Sequence, residues 1–150
     1  MSMPNFTGHV VFCEDVRIEV NRQVSYIGVF PHHREFFEPD VDGDFVLPRF
    51  GIAIYLDIPP EYEGQTPLIA VLSIDKDGKE KQIADETMGK VPNSPDGRSV
   101  NGVSHIQLEG LFSPVGTKFG VDVTIKDETV RIGVFHSIER QKNKTKDENA

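Results

Sequence analysis

The side chains best suited to chemistry gather in one stretch, His32-His33-Arg34-Glu35 followed by Glu38, Asp40, Asp42 and Asp44. Carboxylates at alternate positions, as in Asp40-x-Asp42-x-Asp44, open the loops that wrap a calcium ion in oxygen ligands. Such a loop also needs glycine at its sixth position and glutamate at its twelfth, and this chain has Phe45 and Gly51 there. The sequence therefore predicts a solvated acidic loop, with calcium on Asp40, Asp42 and Asp44 as the alternative. Zinc is the other cation to weigh. His32 and His33 are adjacent, so in an extended chain they face opposite sides and are poorly placed to share one metal. A zinc or hydrolytic centre would have to join one of them to Glu35 and a distant residue.

The remaining reactive types read as structural. Glu14 and Asp15 follow the single cysteine, Cys13, so its thiol is expected to be harder to ionise and to serve as a small buried packing residue. His105 alternates with Ile106 and Leu108 and is expected to point outward; His136 falls between Val134 and Ile138 and is expected to be a hydrogen-bonded core histidine. The sequence contains no G-x-S-x-G elbow, phosphate loop or dinucleotide fingerprint. These residues favour a protein that is not an enzyme and needs no cofactor. A metal-dependent enzyme, or a calcium-binding module, built on the acidic 35–44 loop is the alternative, with calcium or zinc as its metal.

A net charge of −8 with scattered Lys and Arg argues against binding a phosphate backbone, so nucleic acid is not an expected partner. One cysteine leaves no intrachain disulfide, which suits a reducing compartment. The opening MSMPNFTGHV has no basic leader or long apolar run, and no later run approaches the roughly 20 residues that span a bilayer. A cytoplasmic protein that does not engage a membrane is the expectation.

The elements that must position these residues are strands. The 150 residues suit one domain, predicted over 1–140, with the polar 141–150 segment as a disordered tail. Apolar residues recur at every second position: Val16, Ile18, Val20; Phe50, Ile52, Ile54, Leu56, Ile58; Leu68, Ala70, Leu72, Ile74; Phe119, Val121, Val123, Ile125; Val130, Ile132, Val134, Ile138. Ile106, Leu108 and Phe112 are expected to share a face. Turns are predicted at Asn21–Gln23, at Asp75–Gly78 with Gly78 left-handed, and at Lys126–Thr129, with long loops over His32–Asp44 and Asp85–Gly102. Period-two strands without crossover helices predict an all-β fold, an antiparallel two-sheet β-sandwich of about eight strands. The tetrapeptide Ile-Gly-Val-Phe occurs at 27–30 and at 132–135.

Val11-Phe12-Cys13-Glu14-Asp15-Val16-Arg17, followed by Tyr26-Ile27-Gly28-Val29-Phe30 and by Leu47-Pro48 before the long strand, resembles the opening of a family of uncharacterised bacterial and phage proteins with a C-[ED]-D-V-R … I-G-V-[FY] start. The resemblance covers the first 30 residues and implies a cytoplasmic β-sandwich domain of unknown function with no catalytic residues to carry over.

Long polar loops on a rigid β scaffold commonly carry recognition. The expectation is a non-enzymatic binding or interaction domain that grips a protein or a small ligand with loops at one end of the sandwich. His32, His33, Arg34 and Glu35 from one loop, with Asp96 and Arg98 from the other, are the expected contacts. Homodimerisation through an edge or a face is a natural extension, with Tyr55, Val29 and Phe135 as outward apolar candidates.

Overall fold

The computed structural model describes residues 4–140, so the predicted tail lies outside the described residues. Nine strands occur in chain order: β1 (Thr7–Ile18), β2 (Val24–Val29), β3 (Arg34–Phe37), β4 (Asp44–Ile58), β5 (Leu68–Ile74), β6 (Glu80–Thr87), β7 (Val100–Pro114), β8 (Lys118–Ile125) and β9 (Glu128–Glu139). They form a four-stranded sheet, β2-β1-β4-β7, and a five-stranded sheet, β3-β9-β8-β5-β6. The fold is the expected all-β sandwich, and among the described residues no helix is long and apolar enough to cross a membrane.

The two inner faces meet on aromatic rings. Phe50 of β4 lies 4.9 Å from Phe135 of β9, 5.7 Å from Phe12 of β1 and 5.8 Å from Phe119 of β8, ring centre to ring centre. All four rings are fully buried, which joins both sheets through one cluster. The two Ile-Gly-Val-Phe copies contribute neighbouring rings to it, Phe30 and Phe135 at 5.1 Å. The strand over Phe50–Ile58 keeps its predicted phase because β4 is flanked by β1 and β7, and Pro59 and Pro60 end it.

Several expectations are corrected. The described residues form nine strands, in line with the expected number of about eight, but Arg34–Phe37, read as loop, makes a short strand at a sheet edge. Its pairing with β9 is parallel, the exception among the otherwise antiparallel pairings of the described strands. A single 3₁₀ turn at Pro31–His33 moves the chain from one sheet to the other, and His32 and His33 take positive φ of 65° and 53° to do so. Val10–Cys13 and the Val16 strand are one element, β1, and Ile18 and Val20 at and beyond its end are 78% and 106% exposed instead of buried. The loop before β7 is shorter than predicted, residues 88–99, because β6 runs to Thr87 and β7 begins at Val100.

In β5 the phase is opposite to the expected one: Ile69 and Val71 are core and Leu68 is half exposed, because the residues of both faces are apolar and spacing alone does not choose between them. Two further phase errors share one kind of cause, a local break in the strand. Pairing shifts between Val121 and Asp122, leaving Ile132 as an extra residue in β9; Gly133 and Phe135 then point inward, so Phe135 is core and not an outward contact. His136 is correspondingly displaced from the core phase, and Ser137, fully hydrogen-bonded, is buried there in its place. In β7, Gly110 adopts a φ of +64° opposite Pro48, which turns Leu111 inward and leaves Phe112 exposed, off the face of Ile106 and Leu108.

Candidate functional site

The β1–β2 hairpin folds over the outer face of its own sheet. Val16 rests on Gly51 of β4, where a Cβ would come within 2.7 Å of the Val16 Cγ2 and 2.8 Å of the Cys13 Sγ, so only glycine leaves room. The Val16 amide donates to the Gln107 Oε1 of β7 at 3.0 Å, across the width of β4. Two local features let the hairpin bend this way. Gly28 takes a φ of +66° against the Glu14 side chain, and Asp15 receives Arg17 Nε at 2.9 Å and Arg49 Nη1 at 3.2 Å. The Arg17 contact, with Arg49 behind it, holds the Asp15 carboxyl below the usual carboxylate range.

Opposite Val16 in the hairpin is Tyr26, and this residue fixes the contact. Its hydroxyl is hydrogen-bonded to the Tyr55 hydroxyl of β4 and lies 2.8 Å from His105 Nε2 of β7. Burial first, then the Tyr55 hydroxyl, push the Tyr26 hydroxyl up, while burial pushes the His105 imidazole down. Both groups are therefore neutral near pH 7, as a shared hydrogen bond in a partly desolvated place requires. Cys13, Gly51 and Ala53 fill the floor beneath; the Cys13 thiol is fully buried and raised, chiefly by burial, in agreement with its reading as packing.

On the side of the hairpin toward the β7 start, the same face stays open. Directly opposed residues give two rows of outward positions, Thr7, Asp57, Asn101 and His9, Tyr55, Val103. They line a shallow hollow of about 500 Å³. His9 and Tyr55 stack nearly parallel with ring centres 4.9 Å apart. The lining offers hydroxyl, amide, imidazole and one carboxylate, with no lysine or arginine.

The residues predicted to form the contact surface do not converge. β4 runs from Asp44 to Ile58, so the loop before Asp44 and the loop that ends at Val100, the partner of Ile58, lie at opposite ends of the sandwich. At about 3.3 Å per residue, the strand holds them tens of ångströms apart. Asp96 and Arg98 pair with each other at 3.6 Å in the second loop, where hydrogen bonds from the Arg98 amide and Ser94 keep the Asp96 carboxyl low. In the first, His33 sits edge-on to Phe12 at 5.0 Å, Glu35 accepts from the Phe36 amide, and the Arg34 guanidinium lies 6.0 Å from the centre of the Phe36 ring. His32 is exposed.

The acidic loop is a turn that holds itself. Asp40 Oδ1 accepts from the amides of Asp42 and Asp44, both at 2.9 Å, and Gly43 is left-handed. The turn Asp75-Lys76-Asp77-Gly78-Lys79 repeats these bonds through Asp75 Oδ1, with Gly78 left-handed as predicted. A carboxylate oxygen engaged by two amides is explained without a cation. Among the described residues, no three His, Cys, Asp or Glu side chains gather as a metal site.

Tyr26, His9, Asp57 and Asn101 do not stand out as site residues in the sequence. Their signal is present but faint: in the strands flanking and containing the Phe50–Ile58 run, the outward positions carry Tyr55, His9 and His105 among few charged residues. No protein-family model matches the chain, and comparison with curated proteins finds no match.

Proposed function

We propose that the chain is a non-enzymatic binding domain whose ligand occupies the hollow on the outer face of the four-stranded sheet, beside the folded-over hairpin. The observation that carries this reading is the mutual satisfaction of Tyr26, Tyr55 and His105. Their polar atoms bond one another, so they build a preorganised wall beside the hollow. Next to that wall, Thr7, His9, Asp57 and Asn101 present hydrogen-bonding groups on a preformed surface. One carboxylate without a balancing lysine or arginine favours a small neutral or cationic, hydrogen-bonding ligand over an anion.

The chain has no tryptophan and three tyrosines, and Tyr26 and Tyr55 border the hollow, so intrinsic tyrosine fluorescence reports directly on it. Titration with neutral polyols, primary amines and small carboxylic acids should change that emission for a member of the first two groups. Asn101→Ala and His9→Ala should abolish the change while leaving the melting temperature in place. Amide shifts confined to residues 38–44 or 88–99 would return the contact to the loops, and saturable binding by the acids alone would contradict the charge argument.

A further inference from the structure

The five-stranded sheet brings three basic side chains into one row on its outer face. His136 of β9 is directly opposed by Arg34 of β3 on one side and by Lys118 of β8 on the other. Phe135 and Phe119, next to them in the chain, are core, so alternation sends His136 and Lys118 outward, and Arg34 follows its pairing partner. With strands about 4.8 Å apart, the outer two residues stand roughly 10 Å from each other, within reach of one small ligand. The carboxylates that could neutralise this row are engaged elsewhere or lie in the other phase. Along the row the first is Glu80, beyond Ile74, and along β8 it is Asp122; both are bonded to Arg131, at 2.9 and 2.7 Å. Asp75, past the end of β5, accepts the amides of Asp77 and Lys79, and Glu35 pairs with the buried Ser137, off the outward phase of Arg34. Among the described residues, Arg34 and Lys118 form no ion pair. Burial first, then Lys118, Arg34 and, from the turn before β3, His33 push the His136 imidazole down, so the charges acting on it are all positive.

We propose that Arg34, His136 and Lys118 form a binding site for a phosphate monoester, on the other sheet from the hollow and independent of it. Three donors from three strands match the three terminal oxygens of a phosphate, whereas a carboxylate offers two. The second ionisation of such an ester, at about pH 6, lies close to that of a histidine, so a proton can be taken up by His136 as the dianion binds. Beside the row, Phe36 is 45% exposed, with the Arg34 guanidinium 6.0 Å from its ring centre and Ile138 of β9 directly opposite. This apolar step gives the organic part of the ester a surface to lie on and favours an aromatic ester over the bare ion.

The test follows the His136 ring and the backbone amides of the full chain by NMR as phenyl phosphate, inorganic phosphate and benzoate are added. Phenyl phosphate should shift residues 34–36, 118 and 136–138 saturably and raise the His136 pKa, with inorganic phosphate severalfold weaker and benzoate weaker again. Arg34→Gln and Lys118→Gln should each weaken phenyl phosphate about tenfold, the loss of one charge-assisted hydrogen bond. Arg98→Gln removes the same charge from the loop at the opposite end of the sandwich and should leave the affinity unchanged, with melting temperatures confirming that all three variants fold. His136→Gln should keep binding at about pH 8 and abolish its strengthening toward about pH 6.5, because proton uptake on binding makes affinity rise as pH falls. The absence of a saturable shift along the row overturns the proposal. So does benzoate binding as tightly as phenyl phosphate, or a loss with Arg98→Gln equal to that with Arg34→Gln, which would mark a response to net charge alone. Inorganic phosphate binding as tightly as the ester would assign the row to the bare ion and overturn it as well.

Discussion

The inner and outer faces of the four-stranded sheet are built from the same strands by opposite means. Inward positions of β1 and β4 carry Phe12, Phe45, Phe50, Ile52 and Ile54, large side chains that interlock with the facing sheet. Outward positions carry Cys13, Gly51 and Ala53, which are equally buried yet contribute almost no bulk. On the inner face, stability comes from many ring contacts that back one another up. On the outer face, the smallness of the floor lets a hairpin lie close, and a few hydrogen bonds through Tyr26 hold it. Damage to the first should unfold the molecule; damage to the second should release a hairpin and open the hollow while the sandwich persists.

The largest effect is expected from Phe50→Ala. It removes the ring that meets Phe12, Phe30, Phe119 and Phe135 and should cost about 3–5 kcal/mol, seen as a lower denaturation midpoint at unchanged slope. Gly51→Val should cost less, about 1–3 kcal/mol, because Val16 can be pushed away with its hairpin. Hydrogen exchange should then quicken in β2 and not in β8. A uniform loss of protection across both sheets would show that the two faces are one cooperative unit. Tyr26→Phe deletes the hydroxyl shared with Tyr55 and His105 and should cost about 1 kcal/mol.

The same contrast appears in the response to pH. His105 and His136 have folded pKa values below the ordinary 6.5, the first through burial, the second through burial and then the nearby Lys118 and Arg34. The unfolded chain takes up protons there first, so stability is complete above about pH 6.5 and declines as pH falls below it. Asp15 and Asp96 are depressed from 3.8, so their contribution is present above that value and lost only in stronger acid. Melting temperature against pH should therefore fall in two separate steps. His105→Gln, which keeps a hydrogen-bonding group near Tyr26, should shrink the step near neutrality and leave the acid step alone. The smallest effect is expected of Asp40→Ala, less than about 1 kcal/mol, since it removes two amide contacts in an exposed turn.

Much of the sandwich is legible in the sequence because strands buried on one face must alternate, as Phe50–Ile58 of β4 and Phe119–Ile125 of β8 do; β5 alternates too, but both its faces read as apolar, so spacing does not say that Ile69 and Val71 are the buried pair. What the alternation hides are its own breaks. The extra residue at Ile132 and the left-handed Gly110 each reverse the phase of the residues after them, and neither changes the local composition, so spacing alone assigns Phe135 and Phe112 to the wrong faces. The parallel strand Arg34–Phe37 is too short to be recognised except by its pairing partner. The candidate site is less legible still. Loop length and charge draw attention to His32–Asp44 and Asp85–Gly102, but loop polarity is satisfied locally by turns such as Asp40–Asp44, and the strand between the two loops keeps them apart. The wall of the hollow depends on a hairpin folding back over its sheet, which sequence spacing between Tyr26, Tyr55 and His105 does not express.

The placement of that hairpin is the point on which the binding face rests, and proton–proton proximity measured by NMR addresses it directly. Cross-peaks are expected from the Val16 methyls to the Gly51 Hα protons and from the Tyr26 ring to the His105 ring. A hairpin extending in the plane of the sheet, with Val16 and Tyr26 showing contacts only to their neighbours in β1 and β2, would contradict the account.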